Sequence, residues 1–326
     1  MKFSRPSFAL APLPGGISLW ITLLSLGFLL AALLGHGRQM LQLSLDGQGW
    51  LWLLLGVGVS LLSLLANGLG LGVVLRWLDL RPRWVPLLQL YLSTNLRKYL
   101  PGGIWHLTSR LQRLRSPDGP LQAPASLSLA LVAVLLDPLV AAVAALALTT
   151  LAGWQGGRAL LGLLPLLLLW PRWLTPLLRR LELRQARRLQ LDGSFDPAGA
   201  DALPPVLSSA LGGYPLLPLG AQLGFVLLRF LGFACCVLAF DLHTSLSWPG
   251  WLAGFALAWT VGLVVPGAPG GLGVFEAALL LRFANAIPEA PLLAIALSYR
   301  LVVTLADLLA AGLVQLDRWM DQRAQA

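Results

Sequence analysis

Apolar residues fill the chain in long blocks from residue 17 to residue 316, and the polar positions collect between those blocks. The blocks are too long for the core helices of a soluble domain. A hydrocarbon core about 30 Å thick needs roughly 20 apolar residues in a helix, and segments 17–35, 50–75, 123–150, 158–174, 220–240, 249–266 and 290–316 fit that ruler. The pattern predicts an all-α fold, a polytopic transmembrane helix bundle of about 7–8 spans.

Three more stretches are apolar but interrupted: 84–108, 203–219 and 266–285. Each is too broken for a plain span and too apolar for a loop, so re-entrant or broken helices are expected there. The first holds Arg97, Lys98 and Pro101-Gly102-Gly103, and a second Pro-Gly-Gly follows 168 residues later at Pro269-Gly270-Gly271. That spacing suggests a single membrane domain over 1–326 built as two pseudo-repeat halves, 1–152 and 153–326. Arg alternates with Leu from Arg172 to Arg188, and Asp192-Gly193-Ser194-Phe195-Asp196-Pro197 follows. A cytoplasmic interfacial helix and loop are therefore expected over 172–203.

Composition sharpens this picture. Residues are 57% hydrophobic and 11% charged, against roughly 25% charged in soluble domains. The net charge of +9 is almost all arginine, with Lys2 and Lys98 the only lysines. Those arginines sit at block ends, which reads as topology rather than nucleic-acid binding. With a cytoplasmic N-terminus, fourteen basic residues between Lys2 and Arg188 fall inside and only Arg38 and Arg158 outside. The same count makes 84–108 enter and leave on one face. Lys2 and Arg5 before 17–35 resemble a secretory signal, but the apolar core is long and no clear cleavage pattern follows, so a retained first span is expected. Adjacent Cys235 and Cys236 in an apolar run indicate neither a metal site nor a structural disulfide.

Chemistry is expected at the breaks. Proline removes a backbone donor and glycine permits conformations closed to other residues, so a helix must end near Pro101 and restart near Ile104. Its free N–H groups and positive dipole end would face an anion, with Arg97, Lys98 and Arg110 beside it; a lipid phosphate fits both charge and surroundings. His106 reads as a structural hydrogen-bonder or a proton carrier. In the second break, Glu276 is a carboxylate in apolar sequence, expensive in hydrocarbon unless it faces a cavity or a cation. It is placed to meet a cationic headgroup, bridge to Arg282 or Arg300, relay a proton, or cap the next helix. Arg300, Thr304 and Asp307 share one helical face, and Asp137 and Arg229 also lie inside apolar runs. Intramembrane charge pairs are expected among Asp137, Arg229, Arg300 and Asp307. No nucleophile elbow, nucleotide loop or metal-ligand cluster is present in the sequence, so neither an enzyme nor a cofactor or metal is expected.

Leu96-Arg97-Lys98-Tyr99-Leu100-Pro101-Gly102-Gly103, the run Val265-Pro266-Gly267-Ala268-Pro269-Gly270-Gly271-Leu272-Gly273-Val274-Phe275-Glu276-Ala277, and Ser298-Tyr299-Arg300-Leu301 resemble the lysylphosphatidylglycerol synthase transmembrane region, a flippase-like membrane family. The resemblance is strongest over 262–305. It implies a bundle with re-entrant helices that moves an aminoacylated or other phospholipid between leaflets. Where family members often carry an acidic residue and an arginine soon after the first Pro-Gly-Gly, this chain has Trp105, His106 and Arg110. The sequence shows no soluble aminoacyl-transfer domain, so a stand-alone member is expected and lipid aminoacylation is not.

The candidate lipid-binding residues are Arg97, Lys98, Pro101, Gly102, Gly103, His106, Arg110, Pro266, Pro269, Gly270, Gly271, Gly273, Glu276, Tyr299 and Arg300. The function expected is phospholipid binding and translocation; the other reading is a non-transporting scaffold or regulator of a lipid- or glycan-modifying enzyme. Membrane lipids are the expected partners, with a homo-oligomer or an enzyme partner open and nucleic acid excluded. An integral protein of the bacterial plasma (inner) membrane, N-terminus cytoplasmic, is expected.

Overall fold

The computed structural model describes residues 45–100, 105–153, 163–177, 213–265 and 268–324, together with Leu34 and Arg180. The expected first span 17–35 apart from Leu34, together with Pro101, Gly102, Gly103, Pro266 and, in the interfacial segment 172–203, residues 178–203 apart from Arg180, lie outside them. The described elements are helical: α1 Gly47–Trp77, α2 Trp84–Asn95, a 3-10 turn Leu96–Tyr99, α3 Trp105–Leu114, α4 Leu127–Ala152, α5 Leu216–Ala239, α6 Trp248–Val264, a 3-10 turn Pro269–Gly271, α7 Val274–Phe283 and α8 Glu289–Ala324.

Helix starts follow local chemistry. The Asp46 carboxylate accepts the Gly49 N–H at 2.6 Å to open α1, and the Ser126 and Ser247 hydroxyls accept the Leu129 and Gly250 N–H groups to open α4 and α6. α1, α4, α5 and α8 are long and apolar enough to cross a membrane. At 1.5 Å per residue they run from about 36 to about 54 Å. α6, with 17 residues, reaches only about 25 Å. It lies inside the protein, where Trp251 and Phe255 are fully buried. The expected span 158–174, where described, is a short helix Leu164–Leu168 interrupted at Leu169-Trp170, because Pro171 disfavours a helical residue before it.

The segment predicted to be re-entrant closes at its base. Pro82 and Leu121 form an isolated antiparallel bridge, flanked by Arg83 N–H to the Pro120 carbonyl at 2.8 Å and Gln122 N–H to the Arg81 carbonyl at 3.0 Å. The Arg83 guanidinium also donates to the Gly119 carbonyl. α2 thus begins beside the point where the chain leaves α3, as a hairpin entering and leaving on one side requires.

Lipid tails are as apolar as leucine, so inside a membrane helices associate through close packing more than through the hydrophobic effect. α1 and α5 accordingly meet through small residues. A Cβ on Gly56 would stand 3.3 Å from Cys235 Cβ, and one on Gly232 would stand 2.6 Å from Ser60 Oγ. The end of α1 with α2, α3 and α4 makes one buried core, and α5 to α8 make another, in which Phe233, Phe255, Phe275 and Tyr299 pack ring against ring. Leu64, Leu92 and Ala306 link α1, α2 and α8, and Phe225 and Ala256 link α5 to α6. Leu54, Leu62, Leu301 and Leu308 face outward, where lipid is the natural neighbour.

Candidate functional site

The second break is built around one arginine. Gly270, Gly271 and Gly273 hold φ of 60, 73 and 79°, a region that favours glycine. This turn aims the Gly270 and Gly271 carbonyls at α8, where Arg300 Nη1 donates to the first at 2.5 Å and Nη2 to the second at 2.6 Å. Arg300 Nε donates to Glu276 Oε1 at 2.6 Å, and Glu276 Oε2 accepts the Gly273 N–H at 2.7 Å. Glu276 is 0% exposed. Every arm of the guanidinium and both carboxylate oxygens are engaged, so carbonyls freed by the break are satisfied from within the protein.

The first break docks on the same helix two turns further along. Asp307, 1% exposed, receives Lys98 Nζ at 2.6 Å, the Tyr99 hydroxyl at 2.6 Å and Asn95 Nδ2 at 2.8 Å. Thr304 Oγ1 lies 3.4 Å from the Tyr99 hydroxyl. The two breaks touch here: a Cβ on Gly270 would stand 3.0 Å from the Tyr99 ring. The first and second halves of the sequence therefore meet at the very residues whose backbone is interrupted.

A polar chain leads inward from this seam. Arg110 lies over the Tyr91 ring at 3.7 Å, donates to Thr94 Oγ1 at 3.3 Å and to Asn95 Oδ1 at 3.5 Å, and stands 4.0 Å from Asp137 Oδ2. Gln222 Nε2 donates to Asp137 Oδ1 at 2.7 Å and to Asn67 Oδ1 at 3.3 Å. Among the described residues Arg229, buried in the middle of α5, has only a 3.5 Å hydrogen bond to Ser63 Oγ and the Phe225 ring at 5.9 Å.

The structure thus gathers Lys98, Tyr99, Gly270 and the residues around Asp307 into one seam, with Gly271, Gly273, Glu276 and Arg300 directly behind it. Tyr299 faces away into the aromatic core. Arg97 is exposed and donates to Ser109, and His106 is half-buried with Nδ1 lacking a partner among the described residues. Pro269 belongs to the 3-10 turn. The Glu276–Arg300 bridge is among those expected, whereas the partners of Asp137 and Asp307 differ from those expected. Arg300 takes Glu276 rather than an aspartate because the glycine turn brings Glu276 and two carbonyls to it together. Asp307 takes Lys98, and Asp137 takes Arg110, because the first break presses its cations between α4 and α8. Asn67, Asn95, Tyr99, Gln222, Ser60 and Ser63 are not among the sequence candidates. Polar side chains inside apolar runs are the signal that marks Asn67, Gln222 and the two serines, the same signal that marks Asp137 and Arg229.

A polytopic helix bundle with two interrupted segments and charges buried at the interruptions defines an integral membrane protein with an intramembrane polar site. Residues 15–311 match the lysylphosphatidylglycerol synthase TM region, and the chain belongs to that family, which is tied to lipid modification. A search of curated proteins finds no match.

Proposed function

We propose that the protein binds an anionic phospholipid by its headgroup at the seam between the two breaks and carries it between leaflets without chemically altering it. The observation that supports this reading is the contact of the breaks at Tyr99 and Gly270 beside Lys98. An interrupted backbone at membrane depth is tolerated where protein or a water-filled cavity serves its polar groups, and in transporters such interruptions mark the substrate site. Lys98 is the cation best placed to exchange a carboxylate for a phosphate, because Asp307 keeps the Tyr99 hydroxyl and the Asn95 amide when Lys98 leaves, whereas Arg300 is also tied to two backbone carbonyls. The reading puts the protein in a bacterial inner membrane with its N-terminus in the cytoplasm.

The test is reconstitution of the full chain in liposomes carrying tail-labelled phosphatidylglycerol, with dithionite quenching of the outer leaflet. Wild-type protein should speed the loss of protected label, and Lys98→Ala should slow it by at least about tenfold, the effect of removing one charge-assisted hydrogen bond. No acceleration by folded wild-type protein would remove the carrier reading in favour of a non-transporting one.

A further inference from the structure

The buried and half-buried charged side chains among the described residues are four cations, Lys98, Arg110, Arg229 and Arg300, and three carboxylates, Asp137, Glu276 and Asp307. Three cations have carboxylates within 4.0 Å, namely Lys98 with Asp307, Arg110 with Asp137, and Arg300 with Glu276. Arg229 has none among the described residues. It is 7% exposed, its Nε lacks a hydrogen-bond partner among those residues, and its one hydrogen bond, to Ser63, is long. Ser60, one turn before Ser63 on α1, also has a buried hydroxyl without a partner among them. Ser60 abuts Gly232, three residues after Arg229 on α5, so the unmet groups share one seam between α1 and α5. A Cβ on Gly56, in the same seam, would stand 3.5 Å from Val302 Cγ1, so the seam borders α8 between Arg300 and Asp307.

A guanidinium kept only for packing at this depth would be expected to find a carboxylate, because an unpaired buried cation is strongly unfavourable. Among the described residues the buried cations outnumber the carboxylates by one, and a partner that balances them brings one negative charge and several acceptor oxygens. A phosphate ester has both. We propose that Arg229, with Ser60 and Ser63, supplies a second phosphate contact besides that of Lys98, and that the pair of contacts selects headgroups with a net charge of minus one. Among the described residues, one phosphate charge balances four buried cations against three carboxylates whichever cation it touches, so an ammonium group would leave one positive charge over. A zwitterionic headgroup would bring an amine with no partner, and a lysylated headgroup would add positive charge to a site already in excess. The inference deepens the carrier reading and rests on it for the lipid nature of the ligand, since free phosphate has the same oxygens.

The test titrates the purified full chain in detergent with tail-labelled phosphatidylglycerol, phosphatidylethanolamine and lysylphosphatidylglycerol, read by anisotropy, with inorganic phosphate as competitor. Phosphatidylglycerol should bind at least about tenfold tighter than the other two, the factor expected for a single charge-assisted hydrogen bond. Arg229→Gln should abolish that preference, and Arg229→Lys should keep part of it. Thermal unfolding identifies folded variants; if Arg229→Gln does not fold, the double change Ser60→Ala with Ser63→Ala, which leaves every charge in place, should weaken phosphatidylglycerol binding about threefold, as for the loss of a neutral hydrogen bond. Competition by millimolar inorganic phosphate would assign the site to free phosphate, and its absence assigns it to the lipid. Equal affinities for the three lipids, or an undiminished preference in folded Arg229→Gln, overturns the site. Transport by wild type that ignores Arg229 overturns this inference alone, whereas selective binding without transport overturns the carrier reading alone.

Discussion

The two breaks lean on one helix and satisfy it in opposite ways. At the second, Arg300 and Glu276 close a loop with two glycine carbonyls and one glycine N–H, and every arm of the guanidinium and each carboxylate oxygen is in use. At the first, Lys98 shares Asp307 with a phenol and an amide. A saturated pair in a low-dielectric interior is rigid and has nothing to offer a ligand. A carboxylate holding several replaceable donors can release one of them. In the proposed carrier, the second break is then the fixed wall and the first the working face.

Removing one partner from each side sets these roles apart. Glu276→Ala leaves Arg300 buried without its acid and the Gly273 N–H unmet; loss of about 3–5 kcal/mol is expected, as for other broken buried pairs. Reversible unfolding in mixed detergent micelles checks it. Asp307→Ala should cost less, about 2–3 kcal/mol in the same measurement, because Lys98 can shed its proton and Arg300 cannot. Equal losses would erase the distinction between wall and face.

Smaller changes probe the seam. Gly270→Ala forces a side chain into a φ of 60° and against the Tyr99 ring; about 1–2 kcal/mol is expected, with a fall in lipid transport exceeding that of a surface control. Arg110→Lys keeps charge but loses the stacked fork over Tyr91, for about 1 kcal/mol. Arg97→Gln, at an exposed residue, should move stability by less than about 0.5 kcal/mol. A large effect there would shift the working face outward from Lys98 to Arg97.

The helices are legible where hydrophobicity alone decides them. The predicted 50–75 corresponds to Gly47–Trp77, and 220–240 to Leu216–Ala239. The predicted 290–316 falls short of Ala324 because the final turns carry Asp317, Arg318, Asp321 and Arg323, which a hydrocarbon ruler stops at although a helix does not. Proline and glycine announce both breaks, since they act through the local backbone. Partners are legible only in part: Arg300 is among those expected for Glu276, and Lys98 is not among those expected for Asp307. That Lys98 finds Asp307 and Arg300 finds Glu276 depends on which helices are neighbours and how a glycine turn aims its carbonyls. Neither is encoded in the residues next to the charge. Gln222 is easily passed over because a neutral amide in an apolar run weighs little until an aspartate is found beside it.

One spacing on α8 carries a constraint of its own. Arg300 and Asp307 are anchored to different parts of the chain, and seven residues of helix bring them back to nearly the same side, about 20° apart. A single inserted residue between them would swing one anchor by about 100° relative to the other. One docking point would then point into the bilayer while the other stayed in place. The length of that short stretch is thus fixed by two distant loops, and drift in this region is open to residue identity at Leu301, Leu305 and Leu308 on the outer side but closed to insertion or deletion.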